Sequence, residues 1–431
     1  MSTPTLPLEV EPAAELSATQ SADYRYWQKR ILISTIIGYA LYYFVRKNLS
    51  YAMPEMERTL GIGKEQLGGY LTAHGLIYGS SRFINGVWAD RANARWVMPT
   101  GLAICAGLNL MFGLSTGVLA FGVIWALNGW FQGFGFPPVT RLMTHWFPPQ
   151  RLATVMSVWN SGHSIGGAGV AILCGQLVTI DWRLCFYVPA AIAAVGALFL
   201  ALAMRDTPES LSLPPVKGTE HEPVEPGESL GGTLRRLVFA NHYIWLLGFA
   251  NFFVYIVRYG IMDWGPTFLK EARGVDLKHS SLVVASFEVA GILGMLSSGW
   301  ITDRVFGGRG PRACFFYMMG AGAAIFAFRA YPSNSAVANA GILAVAGFFI
   351  YGPQCLIGIS AANLATKRAA AASAGLTGFF GYLSTAISGW GVGWLVTRYH
   401  WDAAFLLFGA STVVGSLLFL LCWPAKAHGY Q

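Results

Sequence analysis

The sequence predicts an all-α membrane protein with twelve transmembrane helices in two pseudo-symmetric six-helix bundles, and three observations carry that expectation. Charged residues make up 12% of the chain and hydrophobic residues 54%, whereas a soluble domain carries roughly 25% charged residues. Apolar stretches of about 20 residues, enough to span about 30 Å of hydrocarbon, recur twelve times. One long polar segment divides them six and six.

In chain order, residues 1–28 are polar and Pro-rich, with no apolar core or small-residue cleavage site, and read as a cytoplasmic tail rather than a cleaved signal. The first bundle, 29–204, holds apolar segments near 31–53, 66–88, 96–116, 118–140, 153–177 and 184–204. The linker, 205–240, includes RDTPESLSLPPVKGTEHEPVEPGESLGGTLRR, which is too polar to fold by itself and reads as flexible. The second bundle, 241–424, holds segments near 241–265, 281–301, 312–330, 336–358, 370–396 and 402–423, followed by a short tail, 425–431.

The net charge of +8 is first a topology signal in such a chain, not a sign of nucleic acid. With both termini cytoplasmic, 17 of the 29 Lys and Arg fall on the terminal side, 8 on the other and 4 inside the helices. That bias puts both termini of a multi-pass membrane protein inside. The six cysteines lack CxxC or Cys/His spacing, so neither a metal site nor a disulfide framework is indicated. No nucleophile–base pair or cofactor motif points to an enzyme.

The halves repeat. YFVR at 43–46 matches YIVR at 255–258, an offset of 212, and GVWADR at 86–91 matches GWITDR at 299–304, an offset of 213. Parallel repeats of this kind describe the major facilitator architecture, in which the substrate site lies between the halves near the midplane. In the loop pair, Asp90 and Asp303 can accept from backbone N–H groups at a facing helix end while Arg91, Arg95 and Arg304 stay wet, latching one conformation. Plain positive-inside charge is the alternative.

Charge inside a bilayer is costly, so intramembrane cations are candidate site residues. Arg46 and Arg258 occupy matching places in the two repeats, which puts them on opposite walls of one cavity. Two guanidinium forks suit a tetrahedral dianion, because each can bond two phosphate oxygens. Arg82 lies about 12 Å into its helix and either adds positive potential to the cavity or snorkels to the interface. Lys47 follows Arg46 by about 100° of helical turn. It is therefore expected to diverge from Arg46 and to pair with a carboxylate or line the cavity edge.

His163 reads equally as a packed residue among glycines or as a phosphate donor. Asp263 and Glu288 are buried acids able to pair with Arg or Lys when the cavity is empty. Tyr39 and Tyr43 stand on the helical face of Arg46, Tyr78 four residues before Arg82 and Tyr255 three before Arg258. Each can stack on its arginine and offer a hydroxyl.

Nearly end to end, the chain resembles the organophosphate:phosphate antiporter family of the major facilitator superfamily. The resemblance rests on YYFVRKNLSYAMP, LNGWFQGFGFPPVTRLMTHWF, SVWNSGHSIGG, FVYIVRYGIMDWGPTFLKE, YGPQCLIG and GLTGFFGYL. It implies exchange of an organic phosphate ester for inorganic phosphate by rocking of the two halves around Arg46 and Arg258, with His163 and Arg82 in the site. It also implies a location in the bacterial inner (plasma) membrane, alternating salt bridges at Asp263 and Glu288, a cavity tyrosine at Tyr382 and no cofactor; a monomer suffices mechanically. Arg82 stands where the glycerol-3-phosphate carrier has lysine. The eleventh span lacks the Asp and Lys pair of the hexose-6-phosphate permease, which weakens a hexose-phosphate assignment and leaves it open beside glycerol-3-phosphate and phosphoglycerate. FFGYLSTAISGW also resembles the family's sensor branch, which would imply a histidine kinase partner instead of transport.

Overall fold

The computed structural model describes residues 18–89, 93–147, 149–214, 232, 234–365 and 370–425. Among them the chain is helical throughout, with no strand. The first six spans are α1 (Ala18–Phe44) with α2 (Asn48–Leu60), α3 (Lys64–Ala89), α4 (Ala94–Leu114), α5 (Val118–Gln132) with α6 (Pro137–Trp146), α7 (Pro149–Leu177) and α8 (Leu184–Ala203). The second six are α9 (His242–Arg273), α10 (Leu277–Arg304), α11 (Gly310–Ala330), α12 (Ala336–Leu364), α13 (Ala370–Leu383) and α14 (Val392–Leu421). A π-helical stretch, Ala386–Gly391, joins α13 to α14, and α14 breaks at His400, where φ is +60°, separating the eleventh span from the twelfth.

Eight segments of the described residues are long and apolar enough to cross a bilayer by themselves. One of them, Ser373–Leu421, contains two spans. The other three spans are more polar because α1 and α2 flank Arg46 and Lys47, α3 carries His74, Arg82 and Asn85, and α7 carries Asn160, His163 and Gln176. The fourth span divides because Pro137 and Pro138 have no N–H to donate and fit only the first turn of a helix.

Two of these boundaries are more ordered than composition suggests. Residues 18–28, expected as part of a cytoplasmic tail, extend α1: Gln28 donates to the Trp146 carbonyl (2.6 Å) and the Tyr24 hydroxyl donates to that of Pro214. The start of the linker, expected to be flexible, is anchored. Asp206 accepts from the Ala94 N–H at 2.8 Å, capping α4, and pairs with Arg141 at 3.2 Å, while Leu213 is buried. A carboxylate at a helix N-terminus meets free N–H groups and the positive end of the dipole. Composition averaged over the linker conceals that single anchor.

The bundles meet where α3 packs on α13 and the π-helical stretch, and where α7 packs on α10. Gly68 is required there, since a Cβ would lie 2.5 Å from the Gly389 carbonyl oxygen. The wider π turn leaves backbone groups unpaired. Thr72 supplies both partners, donating to the Thr385 carbonyl (2.8 Å) and accepting from the Trp390 N–H (2.9 Å).

On the side away from the termini, ion pairs join the halves. Lys270 meets Glu55 at 2.5 Å, Lys64 bridges Glu57 (2.7 Å) and Glu271 (2.9 Å), and Arg398 approaches Glu65 at 3.7 Å. This outer mouth is closed. Burial alone would raise the Glu55 pKa, but hydrogen bonds from Lys270 and Arg58 hold it below the ordinary value. The stabilisation of the closed mouth by Glu55 is therefore complete above the ordinary glutamate range and is lost as pH falls through the depressed value. Spin-label distances across the mouth are expected to lengthen on acidification and in Glu55→Gln/Glu271→Gln. Each partly exposed pair is worth up to about 1 kcal/mol, so about a fivefold change in population per pair is expected. Unchanged distances in both tests would remove these pairs as a gate.

Candidate functional site

The site is built around the interruption of the first span. At residues 45–47, between α1 and α2, carbonyl groups lack the regular helical partners, and inside a bilayer such groups must find others. The Val45 carbonyl accepts from Asn109 (3.0 Å) and Asn128 (2.9 Å), with Gln132 at 3.4 Å, and the Tyr42 carbonyl accepts from Gln132 at 3.2 Å. Asn48 donates to the Asn109 side-chain oxygen (2.8 Å) and to the Cys185 carbonyl (2.9 Å). Amide side chains from α4 and α5 thus fix the segment that carries both cations.

Arg46 is only 6% exposed. Its guanidinium lies over the Tyr78 ring at 4.0 Å and the Tyr43 ring at 5.3 Å, and Nη2 donates to the Tyr259 hydroxyl at 3.4 Å. Arg258, 2% exposed, donates to the Tyr351 hydroxyl at 3.1 Å and lies 4.8 to 5.6 Å from the rings of Tyr351, Tyr259 and Tyr255. Its Nε has no hydrogen-bond partner. Arg82 donates to the Tyr382 hydroxyl at 3.1 Å and stacks on Phe136 at 3.7 Å. Tyr382 in turn meets Tyr78 edge to face at 4.8 Å and Tyr255 at 6.0 Å. The three arginines therefore share one wall of tyrosine, and Tyr259 touches both Arg46 and Arg258.

Lys47 and Arg46 meet Tyr259 by different parts: the Lys47 Nζ lies 4.4 Å from the ring, while the hydroxyl accepts from Arg46. Lys47 pairs across the bundles with Asp263 at 2.6 Å, and Ser50 donates to the same carboxylate oxygen at 2.9 Å. His163 stacks on Tyr351 (5.7 Å) and lies 5.9 Å from Tyr43, with its Nδ1 on the Asn160 carbonyl and Nε2 3.3 Å from Ser164. Tyr39 packs on Trp159 at 4.5 Å and Tyr43 at 5.7 Å, toward the aromatic core of its own bundle.

Glu288 is fully buried, and both its oxygens lack a hydrogen bond of normal geometry. Its polar neighbours are Arg258, the Tyr351 and Ser164 hydroxyls, and Lys47. A Cβ on Gly167 would lie 2.9 Å from its carboxyl carbon, so glycine at 167 makes room for the acid. Of the expected latch, Asp90 and Arg91 lie outside the described residues, as does the side chain of Asp303. Arg304 is exposed at the end of α10. All six cysteines are free, and no group of His, Cys, Asp and Glu among the described residues could hold a metal.

Two parallel bundles closing over buried arginines are matched in sequence by the Major Facilitator Superfamily model over residues 35–389. The chain is 37% identical over 420 residues to a probable hexose phosphate transport protein of Chlamydia pneumoniae, covering 93% of this chain and 92% of that one. It is 37% identical over 419 residues to the glycerol-3-phosphate transporter of Bacillus subtilis, covering 93% and 94%. This chain belongs to the organophosphate:phosphate antiporter family of that superfamily. A relative of a different kind, the membrane sensor protein UhpC of Escherichia coli, is 36% identical over 408 residues, covering 93% of each chain. The fold is shared with a bacterial homologue of the human lysosomal transporter Spinster in an inward-facing, unoccupied conformation (TM-score 0.75, 15% identity, 92% of this chain and 97% of that one). The protein is an integral membrane transporter of the major facilitator fold.

Sequence reasoning missed Tyr259 and Tyr351, although Tyr259 adjoins Arg258 and Tyr351 opens the YGPQC stretch. It also missed Asn109, Asn128 and Gln132. The available signal was three amides in spans that are otherwise apolar.

Proposed function

We propose that this transporter exchanges an organic phosphate ester for inorganic phosphate, the phosphate group being held between Arg46 and Arg258. The observation that carries the reading is the pairing pattern of the buried cations. Lys47 has a carboxylate at 2.6 Å, whereas the hydrogen-bond and stacking contacts of Arg46, Arg82 and Arg258 are tyrosine hydroxyls and aromatic rings, with Glu288 the acid beside Arg258. Among the described residues, three guanidinium charges thus share a single neighbouring acid, and an incoming dianion offsets the remainder. His163 and the hydroxyls of Tyr43, Tyr78, Tyr255 and Tyr382 border that space, while Tyr39 supports Tyr43 from behind.

Ion pairs join the halves on the side away from the termini. The excess of Lys and Arg on the terminal side supports cytoplasmic termini in a bacterial inner membrane. The two bundles, 29–204 and 241–424, rock as units about the site, and a monomer suffices. An anion drawn to Arg258 competes with Glu288, and one drawn toward Lys47 competes with Asp263. Both acids then contribute less to the closed arrangement. The loop pairs Asp90–Arg91 and Asp303–Arg304 serve the opposite, cytoplasmic closure.

Reconstituted vesicles loaded with labelled phosphate test this reading. External glycerol-3-phosphate, a hexose phosphate or 3-phosphoglycerate is expected to drive label out, and the ester that does so most effectively names the substrate. No efflux with any ester sinks the exchange reading. The similarity to a membrane sensor favours a second reading, in which the site detects the ester for a histidine kinase. Feeble counterflow despite tight ester binding is its signature.

A further inference from the structure

On the side of the termini, away from the cavity, three arginines from three separate parts of the chain converge on the C-terminal end of α8. Arg30 of α1 donates to the carbonyls of Ala203 (3.1 Å) and Leu202 (3.3 Å). Arg95 of α4 donates to that of Ala201 (3.3 Å), and Arg205 to those of Met204 (2.7 Å) and Leu202 (3.3 Å). The negative end of a helix dipole amounts to about half a charge, so it offsets only a fraction of three cations. The nearest acid in sequence, Asp206, is committed to Arg141 and to the cap of α4.

The cations are mutually close: burial and then the charges of Arg95 and Arg30 both lower the Arg205 pKa. Aromatic rings interleave with them. Trp27 lies 4.9 Å from the Arg30 guanidinium and 5.2 Å from that of Arg205, Tyr26 lies 5.8 Å from Arg30, and Trp96 lies 4.9 Å from Arg95. Tryptophan and tyrosine at this level mark the interface between headgroups and acyl chains.

The wall beneath is apolar and uncovered. Ile33 stands one turn along α1 from Arg30, and Leu198 one turn before Leu202 on α8; with Trp96 all are more than half exposed. The spacing places each below a cation or a cation-bonded carbonyl, on the same helical face. A headgroup-level cluster of positive charge above an exposed apolar wall matches an anionic phospholipid in both of its parts.

We propose that Arg30, Arg95 and Arg205, with Trp27 and Trp96, form a binding site for the headgroup of an anionic phospholipid in the leaflet on the side of the termini. The acyl chains lie along Ile33, Leu198 and Leu202. The occupant is an anionic lipid, not free phosphate, because free phosphate gains nothing from the apolar wall. The lipid ties α1, α4 and α8 together at their ends, outside the transport cavity.

The test is native mass spectrometry of the purified full-length protein, titrated with phosphatidylglycerol, cardiolipin or phosphatidylcholine. Wild type is expected to retain the anionic lipids preferentially. Each of Arg30→Gln, Arg95→Gln and Arg205→Gln should weaken that retention about fivefold, from about 1 kcal/mol per basic residue near an anionic surface. The triple lysine variant should keep most of it, which separates lost charge from lost capping of α8. Equal retention of phosphatidylcholine by wild type, or undiminished anionic retention in the triple glutamine variant, overturns the site. Displacement of the lipids by millimolar inorganic phosphate overturns the lipid assignment.

Discussion

Arg258→Lys is expected to leave a folded protein whose phosphate exchange falls by about a hundredfold, and Arg46→Lys is expected to behave alike. The positive charge survives in both, so a simple electrostatic attraction for anions predicts little change. What disappears is the planar fork, which places two N–H groups on two oxygens at once. A hydrogen bond to a charged group is worth about 1.5–3 kcal/mol, so losing one or two approaches a hundredfold. Lysine also forfeits the stacking that holds Arg258 between Tyr255, Tyr259 and Tyr351. Counterflow of labelled phosphate, with thermal unfolding as a control for folding, measures the effect. Undiminished exchange in both variants would remove the clamp.

The second large effect concerns stability. Asp263→Asn strands Lys47, which is 7% exposed and has Asp263 as its carboxylate. Removing one partner of a buried pair costs about 3–5 kcal/mol, because the remaining charge stays desolvated. Lys47→Met/Asp263→Asn, which removes both charges, is expected to recover most of that loss in the unfolding temperature. A single variant as stable as the double would show that the pair is not coupled. Exchange reports separately: the double variant folds but has lost an ion pair that joins the bundles, so its closed state should be less favoured.

Much of this architecture was legible because bilayers impose simple rules. Length and hydropathy give the spans, and the paired YFVR and YIVR segments point to Arg46 and Arg258. The interruption at 45–47 was not legible: no proline or glycine marks it, and the residues that stabilise it, Asn109, Asn128 and Gln132, lie 64 to 90 positions from the carbonyls they bond. Tyr259 and Tyr351 escaped for another reason, since tyrosine is frequent in membrane helices and one beside an arginine carries little information until rings and guanidinium groups are seen to converge. The docked start of the linker depends on one aspartate, which average composition cannot reveal.

The amide shelf beneath Val45 has a consequence for how variation in this chain should be read. Arg46 is aimed not by its own helix alone but by α4 and α5, whose amides bond the backbone just before it. The two jaws are thus unlike: Arg258 rides on the uninterrupted α9, while Arg46 is mounted on a bracket borrowed from its neighbours. Variants that silence this transporter without touching the substrate should accumulate at Asn109, Asn128 and Gln132. A survey confined to cavity-lining positions would misfile them as ordinary packing defects.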